Sequence, residues 1–252
     1  MKLKVMTFNL RYPNPGDGIN RFENRVGRIL SVIAAEAPDL IGFQEATDES
    51  RRILGDALAD RYLLLGGGRE RDLHGEGCPI AVRREVCELV AFETVFLSDA
   101  PAVPGSRYEA SDQSVCPRLF VRAELALADG RRFSFYNTHL DHAGKGARLL
   151  GMEAILQSVA AHSAPFVLTG DMNALPDSPE ARLPLSLAGR EVCDATAAIP
   201  HTFHDFGRRT SPCKIDYIYT DLPYEETYAV CDAGEDGVYI SDHYPVCTTL
   251  LL

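Results

Sequence analysis

The 252-residue chain has 46% apolar and 24% charged residues, the composition of a globular protein, which excludes extensive disorder. No apolar run approaches the roughly 18 residues of a membrane-spanning helix. Acidic residues outnumber basic ones by 36 to 25, and the net charge of −11 argues against an electrostatic grip on DNA or RNA. The charge does not exclude a nuclease that draws metal ions into an acidic cleft.

The first part of the chain alternates strands with helices. Apolar residues recur at helical spacing between 22 and 33 and predict a helix with one buried face. A second helix is predicted to begin at Thr47 or Asp48, since either side chain can serve as an N-cap. The elements predicted here are a strand at 2–8, a Gly/Pro/Asn-rich loop at 12–20, the first helix, a buried strand at 40–43 and the second helix.

Strands dominate the rest of the chain. Asp129-Gly130 is a strong signal for a hairpin turn between two of them. Ser178-Pro179 has the N-cap and first-turn proline of a short helix, which Pro184 limits. The predicted elements are strands at 62–65, 80–83, 88–96, 119–127 and 133–138, a helix containing 149–159, a strand at 166–169, the short helix, and strands at 215–219 and 244–251.

Few helices and many strands in mixed order predict an α/β protein with a sheet-on-sheet core and helices outside. No repeat, low-complexity tract or linker interrupts the chain, so 1–252 is predicted to form one domain. Two long loops, 66–77 and 98–117, are either functional or surface excursions. The glycine run at 66–68 is not a P-loop, because neither a Gly-Lys-Ser/Thr ending nor a helix follows it.

The seven cysteines are scattered, and none forms a C-x-x-C pair. A zinc site or a disulfide framework is therefore not expected, and free thiols in a reducing cytoplasm are the simplest interpretation. The segment 1–9 has the pattern of a strand and lacks the apolar stretch and cleavage site of a signal peptide. We therefore expect a cytoplasmic protein.

Polar side chains follow one predicted strand after another. Taken singly, each has an ordinary structural explanation, because Asn and Asp often end strands as turn residues. Together they are harder to explain in this way, since carboxylates rarely lie next to buried strands without a partner or a metal. The set is Asn9, Glu45, His139, Asp171 with Asn173, Asp216, and Asp242 with His243.

The residues around these positions form six short motifs that resemble, in order, those of the endonuclease/exonuclease/phosphatase superfamily. This superfamily includes deoxyribonuclease-I-like nucleases, abasic-site endonucleases, inositol-polyphosphate 5-phosphatases, sphingomyelinases and deadenylases. All six motifs in order, across nearly the whole chain, are specific for the fold and for metal-dependent phosphoester chemistry, but not for a substrate. The motifs are Thr7-Phe8-Asn9-Leu10, Gln44-Glu45, Asn137-Thr138-His139-Leu140, Gly170-Asp171-Met172-Asn173, Ile215-Asp216-Tyr217-Ile218 and Ser241-Asp242-His243-Tyr244-Pro245.

The resemblance implies a fold and a cofactor. The fold is a deoxyribonuclease-I-like, four-layer α/β sandwich with two central mixed or antiparallel sheets flanked by helices. The cofactor is Mg²⁺ or Mn²⁺, which Glu45 would bind with help from Asn9 and Asp242. Hard oxygen ligands of this kind suit those ions and do not suit a thiolate-preferring metal.

The resemblance also implies catalytic roles. Asp171 would orient or deprotonate the attacking water, and Asn173 would position water or phosphate. His243, held by Asp216, would donate to a non-bridging phosphate oxygen as charge develops on it. His139 would lie on the opposite side of the phosphate, where it would bind phosphate or assist the leaving group.

Several neighbours of the motifs are further candidates. Arg118 lies where the second long loop rejoins a strand and is predicted to clamp phosphate with two hydrogen bonds. A surface salt bridge is the alternative role for this arginine. Asp141 and His142 are candidates for the lining of the pocket, whereas His201 and His204 are interpreted as loop packing.

We predict a divalent-metal-dependent hydrolase of a small phosphorylated molecule such as a sugar phosphate. The acidic charge, the lack of a basic stripe and the absence of tryptophan argue against a nucleic-acid footprint. The main alternative is a DNA or RNA endonuclease or exonuclease with the same active site. A catalytically silent binding module is disfavoured because the residue set is intact. A membrane lipid phosphodiesterase is disfavoured because neither an apolar hairpin nor a membrane helix is predicted.

Overall fold

Two six-stranded β-sheets pack face to face, and helices cover their outer surfaces. The computed structural model describes residues 1–232, 234 and 236–252. This four-layer arrangement confirms the fold class predicted from the sequence. Among the residues it describes, no helix is long and apolar enough to cross a membrane.

The elements follow the predicted order closely. The strands are β1 (Lys2–Asn9), β2 (Leu40–Gln44), β3 (Tyr62–Leu65), β4 (Ile80–Arg83), β5 (Glu88–Phe96), β6 (Leu119–Ala126), β7 (Arg132–His139), β8 (Phe166–Asp171), β9 (Cys193–Asp194), β10 (Asp216–Thr220), β11 (Tyr224–Ala229) and β12 (Val246–Leu251). The α-helices are α1 (Phe22–Glu36), α2 (Asp48–Leu58), α3 (Lys145–Ala161) and α4 (Pro179–Arg182). Two short 3₁₀ helices span Pro15–Asn20 and Leu183–Ser186.

The two sheets share one pairing pattern. Their strand orders are β11-β12-β1-β2-β4-β3 and β5-β6-β7-β8-β10-β9. In each sheet the central pair is parallel and the outer pairs are antiparallel. A helical crossover joins each parallel pair, α1 between β1 and β2 and α3 between β7 and β8, as parallel strands require. The carboxyl ends of both strands of a pair therefore lie at one edge of the sheet.

Local signals explain several of the boundaries. Thr47 caps α2, because its Oγ1 accepts a hydrogen bond from the Ser50 amide at 3.4 Å. The predicted hairpin turn at 129–130 is present, with Gly130 at a φ of +86° and the Leu127 amide donating to the Arg131 carbonyl at 2.9 Å. Glycine adopts this left-handed conformation without steric strain, so the turn residues determine where β6 and β7 are joined.

Two strands are missing from the sequence prediction, and one starts later. β11 lies at the edge of its sheet with its first three residues exposed, so its sequence lacks the strong apolar signal of a buried strand. β9 is only two residues long. The last strand begins at Val246 rather than at 244, because the preceding residues form the turn that carries the sixth motif. The predicted loop at 12–20 contains the first 3₁₀ helix.

Apolar side chains fill three layers between and outside the sheets. Successive residues of a strand point to opposite faces, so Phe135 joins the layer between the sheets while Tyr136 lies beneath α3. In the other sheet, Val5 faces the inter-sheet layer and Met6 packs under α1 and α2. Because these central strands are covered on both faces, nearly all of their residues are buried.

Asn137 joins the two sheets through buried hydrogen bonds. It lies on β7, and its Nδ2 donates to the carbonyl oxygens of Phe43 on β2 at 2.7 Å and of Pro79 just before β4 at 3.2 Å. Its Oδ1 accepts from Gln44 Nε2 at 2.7 Å and from Thr169 Oγ1 at 3.0 Å. An unpaired buried polar group costs about 1–3 kcal/mol, so these bonds favour one alignment of the sheets.

Gly42 allows the sheets to approach each other at this point. It lies on β2, and a Cβ atom there would be 2.1 Å from Thr169 Oγ1 and 2.5 Å from Asn137 Oδ1. Both distances are well inside van der Waals contact. A side chain at position 42 would therefore push the sheets apart or break the hydrogen bonds of Asn137.

We expect Gly42→Ala to lower the free energy of unfolding by at least about 2 kcal/mol, because it combines overpacking with loss of buried hydrogen bonds. Urea denaturation followed by circular dichroism measures this change. The matched control is Gly27→Ala at an exposed position of α1, where a Cβ would meet no described atom within 4 Å. The control should raise the free energy of unfolding by about 0.5–1 kcal/mol. A Gly42→Ala protein as stable as the parent would contradict the proposed importance of this contact.

Candidate active site

The carboxyl ends of the two parallel strand pairs meet at one end of the sandwich. In the first sheet, Asn9 and Gln44 are register partners at the ends of β1 and β2, and Glu45 follows directly. In the second sheet, His139 and Asp171 are partners at the ends of β7 and β8. A hydrogen bond of 3.0 Å from Asn9 Nδ2 to Asp171 Oδ2 joins the two edges.

Antiparallel neighbours bring the remaining predicted residues to the same edge. β10 begins at Asp216, whose register partner on β8 is Asp171. The turn before β12 carries Asp242 and His243, and Ser241 Oγ in that turn donates to the Asn9 carbonyl at 2.6 Å. Strand direction therefore explains why motifs far apart in the sequence converge.

Asn9 holds two carboxylates close together. Its Nδ2 donates to Glu45 Oε1 at 3.2 Å as well as to Asp171. Its Oδ1 accepts from the Arg11 amide at 2.9 Å, which fixes the orientation of the side-chain amide. In this orientation the nitrogen faces the carboxylates, so the predicted role of Asn9 as a direct metal ligand would require the amide to turn.

Two of the site residues have left-handed backbone conformations. Glu45 has a φ of +56° and Asn173 a φ of +48°. Such conformations are uncommon for residues other than glycine and are often found at functional sites. Local bonds support both, since the Tyr12 amide donates to Glu45 Oε2 at 2.9 Å and the Asn173 amide donates to Asp171 Oδ1 at 2.9 Å. The backbone is thus held so that these side chains face the site.

His243 and Asp216 form a buried ion pair. Nδ1 of His243 lies 2.8 Å from Asp216 Oδ2, and Nε2 lies 3.9 Å from Asp171 Oδ2. Burial opposes the charged ring, but the Asp216, Asp242 and Asp171 carboxylates outweigh it and hold the pKa of His243 well above its usual value. The ring is therefore an imidazolium whose second N–H points between the carboxylates.

His139, unlike His243, is a neutral imidazole. Burial, followed by the charges of Arg118 and Arg69, holds the pKa of His139 well below its usual value. Asn173 Nδ2 donates to the Leu140 carbonyl at 3.0 Å and lies 2.9 Å from His139 Nε2. Because the carbonyl identifies the amide nitrogen, His139 Nε2 is an acceptor and the proton of the neutral ring is on Nδ1.

The carboxylates provide a candidate site for a divalent cation. Glu45, His139 and Asp171 each offer an atom within 4.8 Å of the others. Burial raises the pKa of both Asp171 and Asp242, and the neighbouring carboxylates add to this effect. Oxygen-rich clusters of buried acids are stabilised by a hard cation, so the residues present fit such an ion.

A second acidic and histidine cluster is better explained by hydrogen bonding. Asp171, Asp216 and His243 also offer atoms within 4.8 Å of one another. The Nδ1 atom of His243 is engaged by Asp216, and its other nitrogen faces Asp171. A protonated imidazole cannot bind a metal, so we assign this cluster to proton donation rather than to a cation.

A buried arginine aligns the loops that carry the first and last motifs. Arg25 on α1 is 0% exposed. Its guanidinium donates to the carbonyl oxygens of Leu10 and Ile240, both at 2.8 Å, and of Arg11 at 3.0 Å. It also donates to Asn20 O at 2.7 Å. Because the bonded segments adjoin Asn9 and the Asp242 turn, this side chain links them across the sheet.

The site opens into a pocket of about 440 Å³. Its polar floor contains seven of the predicted residues, while Asn9 and Asp216 lie behind them. The walls come from both long loops, through Arg69, Glu76 and Cys116, and from Phe203. The predicted residues in the lining are Glu45, Arg118, His139, Asp171, Asn173, Asp242 and His243.

Arg118 is a buried pocket residue rather than a surface ion pair. It is 4% exposed, and its Nη2 lies 3.0 Å from His142 Nδ1. Its Nε lies 3.7 Å from Asp141 Oδ2, whereas its Nη1 has no hydrogen-bond partner within the described part of the chain. His142 lines the pocket, and Asp141 bonds the Ser114 hydroxyl at 2.5 Å beneath it. His204 stacks on Tyr244 at 4.0 Å, away from the pocket lining.

Sequence reasoning missed four polar residues of the lining. They are Arg11, Tyr12, Arg69 and Glu76. Arg11 is held by two 3.1 Å hydrogen bonds to Asp17, in the unpredicted 3₁₀ helix. The signal available in the sequence is their position in or beside loops that follow motif-bearing strands, but only tertiary structure shows which loop residues face the site.

Comparison with known proteins points to one family. A sequence profile of the Endonuclease/Exonuclease/phosphatase family matches residues 6–243. No curated protein sequence matches the chain. A solved endonuclease/exonuclease/phosphatase from Bacteroides vulgatus is 28% identical, with a TM-score of 0.91 over 100% of this chain and 99% of that chain.

Two further solved structures share the fold. A mannosyl-6-phosphatase from Bacteroides thetaiotaomicron is 24% identical, with a TM-score of 0.85 over 99% of this chain and 100% of that chain. TDP2 from D. rerio, solved with a single-strand DNA product, is 18% identical, with a TM-score of 0.77 over 100% of this chain and 99% of that chain. At these identities the two structures show similarity of fold alone.

We expect the Asp216–His243 pair to act as one unit in the hydrolysis of a phosphate ester. Asp216→Asn should lower kcat by about 10²–10³, because the imidazole of His243 loses the carboxylate that keeps it protonated. His243→Ala should be at least as impaired, and the double variant should be little worse than His243→Ala alone.

The measurement is kcat and KM for the parent and the three variants, with thermal melting as the control for folding. Losses that multiply in the double variant would show that the two residues act independently. A fully active Asp216→Asn enzyme would likewise remove the reason to treat them as a unit.

Proposed function

The chain belongs to the endonuclease/exonuclease/phosphatase family, and from that premise we propose that it is a divalent-cation-dependent phosphatase of small phosphorylated molecules, with sugar phosphates as the substrate class. Members of this family are phosphoric ester hydrolases, and the chain is one of them. What we propose beyond family membership is that the substrate is a small molecule carrying a phosphate monoester.

The observation that carries the proposal is the size of the pocket and the side chains that line it. A volume of about 440 Å³ is within the range of about 300–1,000 Å³ for small-molecule sites. Arg69 and Glu76 on one side and Cys116 and Phe203 on the others bound the space above the carboxylates. A sugar phosphate can fit within such walls, whereas a duplex needs an open groove.

The distribution of basic residues supports the same substrate class. Arg11 and Arg118 lie in the pocket wall, while the chain as a whole carries a net charge of −11. A nucleic-acid enzyme neutralises several phosphates along an extended path. Basic side chains gathered inside one pocket instead suit a single phosphate group.

We propose a task for each side chain around that phosphate. Asp171 would orient the attacking water, and His243 would donate its Nε2 proton to a phosphate oxygen. Arg118 lines the same pocket, and its Nη1, which has no hydrogen-bond partner among the described residues, would bind a phosphate oxygen. Asn173, which donates to His139, holds that ring in place on the pocket wall.

Glu45 and Asp171, with Asp242 nearby, would hold the cation, and we propose Mg²⁺ or Mn²⁺ on the basis of these hard oxygen donors. When bound, such an ion supplies charge neutralisation at the phosphate and at the departing oxygen. Asn9 supports the ligands by its two hydrogen bonds to them.

The alternative function is that of a nuclease, since a site with the same carboxylates and histidines can also catalyse cleavage of a phosphodiester. The fold of TDP2, solved with a DNA product, is compatible with it. The mannosyl-6-phosphatase has the same fold, so similarity of fold does not choose between the two activities, and the pocket and its charges carry the choice. A silent binding module is disfavoured because the acidic and histidine residues are all present at the site.

We further propose that the enzyme works as one domain in the cytoplasm. All seven cysteines are free, and Cys78 and Cys247 are buried with pKa values that burial raises to about 12. Buried protonated thiols are compatible with a reducing compartment. Both sheets contribute residues to the one site, which supports a single folding unit.

We expect hydrolysis to stop in excess chelator and to return with Mg²⁺ or Mn²⁺. Glu45→Gln should weaken Mn²⁺ binding by at least about tenfold, because a charged oxygen ligand is lost. Isothermal titration calorimetry measures binding independently of turnover. Glu49→Gln, at an exposed position on α2, is the matched control and should bind Mn²⁺ as the parent does. Full turnover in excess chelator would refute the cation requirement.

We also expect kcat/KM for the best small monoester to exceed that for any oligonucleotide. The assay compares a panel of sugar, inositol and nucleoside monophosphates with single-stranded and duplex oligonucleotides, with each metal. The measured quantities are phosphate release and strand cleavage. Efficient cleavage of oligonucleotides with steep salt dependence, without turnover of monoesters, would instead establish the nuclease function.

A further inference from the structure

The proposed mechanism leaves one charged pair of the pocket wall without a role. Arg69 Nη2 and Glu76 Oε1 are 3.0 Å apart, and the two side chains are 13% and 22% exposed. Arg69 Nε is buried and has no hydrogen-bond partner among the residues that the structure describes. Both residues line the pocket next to Glu45 and His139. Because both residues line the pocket, the guanidinium can offer a hydrogen-bond donor and the carboxylate an acceptor to a ligand there.

The loop that carries this pair is closely packed. The Arg69 amide donates to the Glu76 carbonyl at 2.7 Å, and the Gly68 amide donates to Leu73 O at 2.8 Å. A Cβ at Gly68 would be 1.9 Å from the His74 carbonyl oxygen. The two segments of this loop therefore approach too closely for a side chain at position 68. This close packing fixes the positions of Arg69 and Glu76 relative to each other.

The loop is also attached to the cation site. Gly77 and Ala46 form a β-bridge, with hydrogen bonds of 2.8 Å and 3.2 Å between their amides and carbonyls. Ala46 follows Glu45 directly. A Cβ at Gly77 would be 2.0 Å from Gly67 O. The distance from the Arg69–Glu76 pair to the carboxylate of Glu45 is thus set by short backbone contacts.

We propose that Arg69 and Glu76 form a subsite for the alcohol part of the substrate, where they bind adjacent hydroxyl groups of the sugar. A hydroxyl group both donates and accepts hydrogen bonds, so a vicinal diol can accept from the guanidinium and donate to the carboxylate. Bonds to charged groups are stronger than those between neutral groups. This inference rests on the proposed phosphatase function and names the residues that select its substrate.

A second anionic group of the substrate is the competing occupant. Glu76 lies within ion-pair distance of Arg69, and Glu70 Oε1 lies 3.8 Å from Arg69 Nε. These two carboxylates offset the charge of the guanidinium and repel a second phosphate or carboxylate. The local charges therefore favour neutral hydroxyl groups over a bisphosphorylated substrate.

The test compares two substrates that differ only in the alcohol. One is the sugar phosphate that the parent enzyme hydrolyses best, and the other is p-nitrophenyl phosphate, whose alcohol has no further hydroxyl. Arg69→Ala and Glu76→Gln should each reduce kcat/KM for the sugar phosphate by about 10–100-fold. The same variants should change kcat/KM for p-nitrophenyl phosphate by less than about threefold.

Arg71→Ala is the matched control, since Arg71 lies on the same loop and is exposed; it should leave both substrates unaffected. Thermal melting and Mn²⁺ titration of each variant check the fold and the cation site. A deoxy-sugar phosphate lacking the hydroxyl that Glu76 binds should be hydrolysed equally by the parent and by Glu76→Gln.

Equal losses on both substrates, or no loss on the sugar phosphate, would overturn the subsite while leaving the phosphatase intact. A higher kcat/KM of the parent enzyme for a bisphosphorylated sugar than for the matching monophosphate would overturn it in favour of a second anion site. A parent enzyme without activity on any monoester would overturn the proposed function, and the subsite with it.

Discussion

The hydrogen bonds of Asn137 set the alignment of the two sheets, and the geometry of the site depends on that alignment. Asn137 reaches from β7 to the end of β2, where it bonds Phe43 O and Gln44 Nε2. Glu45 follows Gln44 on one side, and His139 lies two residues beyond Asn137 on the other. A shift between the sheets would therefore separate the residues that the two sheets contribute to the site.

The site itself opposes folding in ways that the rest of the structure must offset. It buries Asp171, Asp216 and Asp242 within one region and holds Glu45 and Asn173 in left-handed conformations. Such features typically lower stability by about 1–3 kcal/mol for each strained residue. The packing of three apolar layers and the buried hydrogen bonds of Arg25 stabilise the folded state and offset this cost. A cation bound by the carboxylates would relieve part of their repulsion.

The sequence predicts the strand ends well because apolar runs and the polar residues that end them are local features. The six motifs locate Glu45, His139 and Asp171, and strand direction then brings them together. Arg69 and Glu76 are not predictable in this way, because their orientation depends on the bridge between Gly77 and Ala46. The exposed edge strand β11 and the amide orientation of Asn9 likewise depend on neighbours far away in the sequence.

The central claim is that the edges of the two sheets build one cation and phosphate site. Crystals soaked with Mn²⁺ and orthovanadate, with anomalous scattering recorded at the manganese edge, test it most directly. The account predicts a manganese peak about 2.1 Å from a Glu45 carboxylate oxygen, with vanadate between that ion and the rings of His243 and His139. A manganese ion bound elsewhere, or vanadate outside the pocket with Glu45 unliganded, would contradict it.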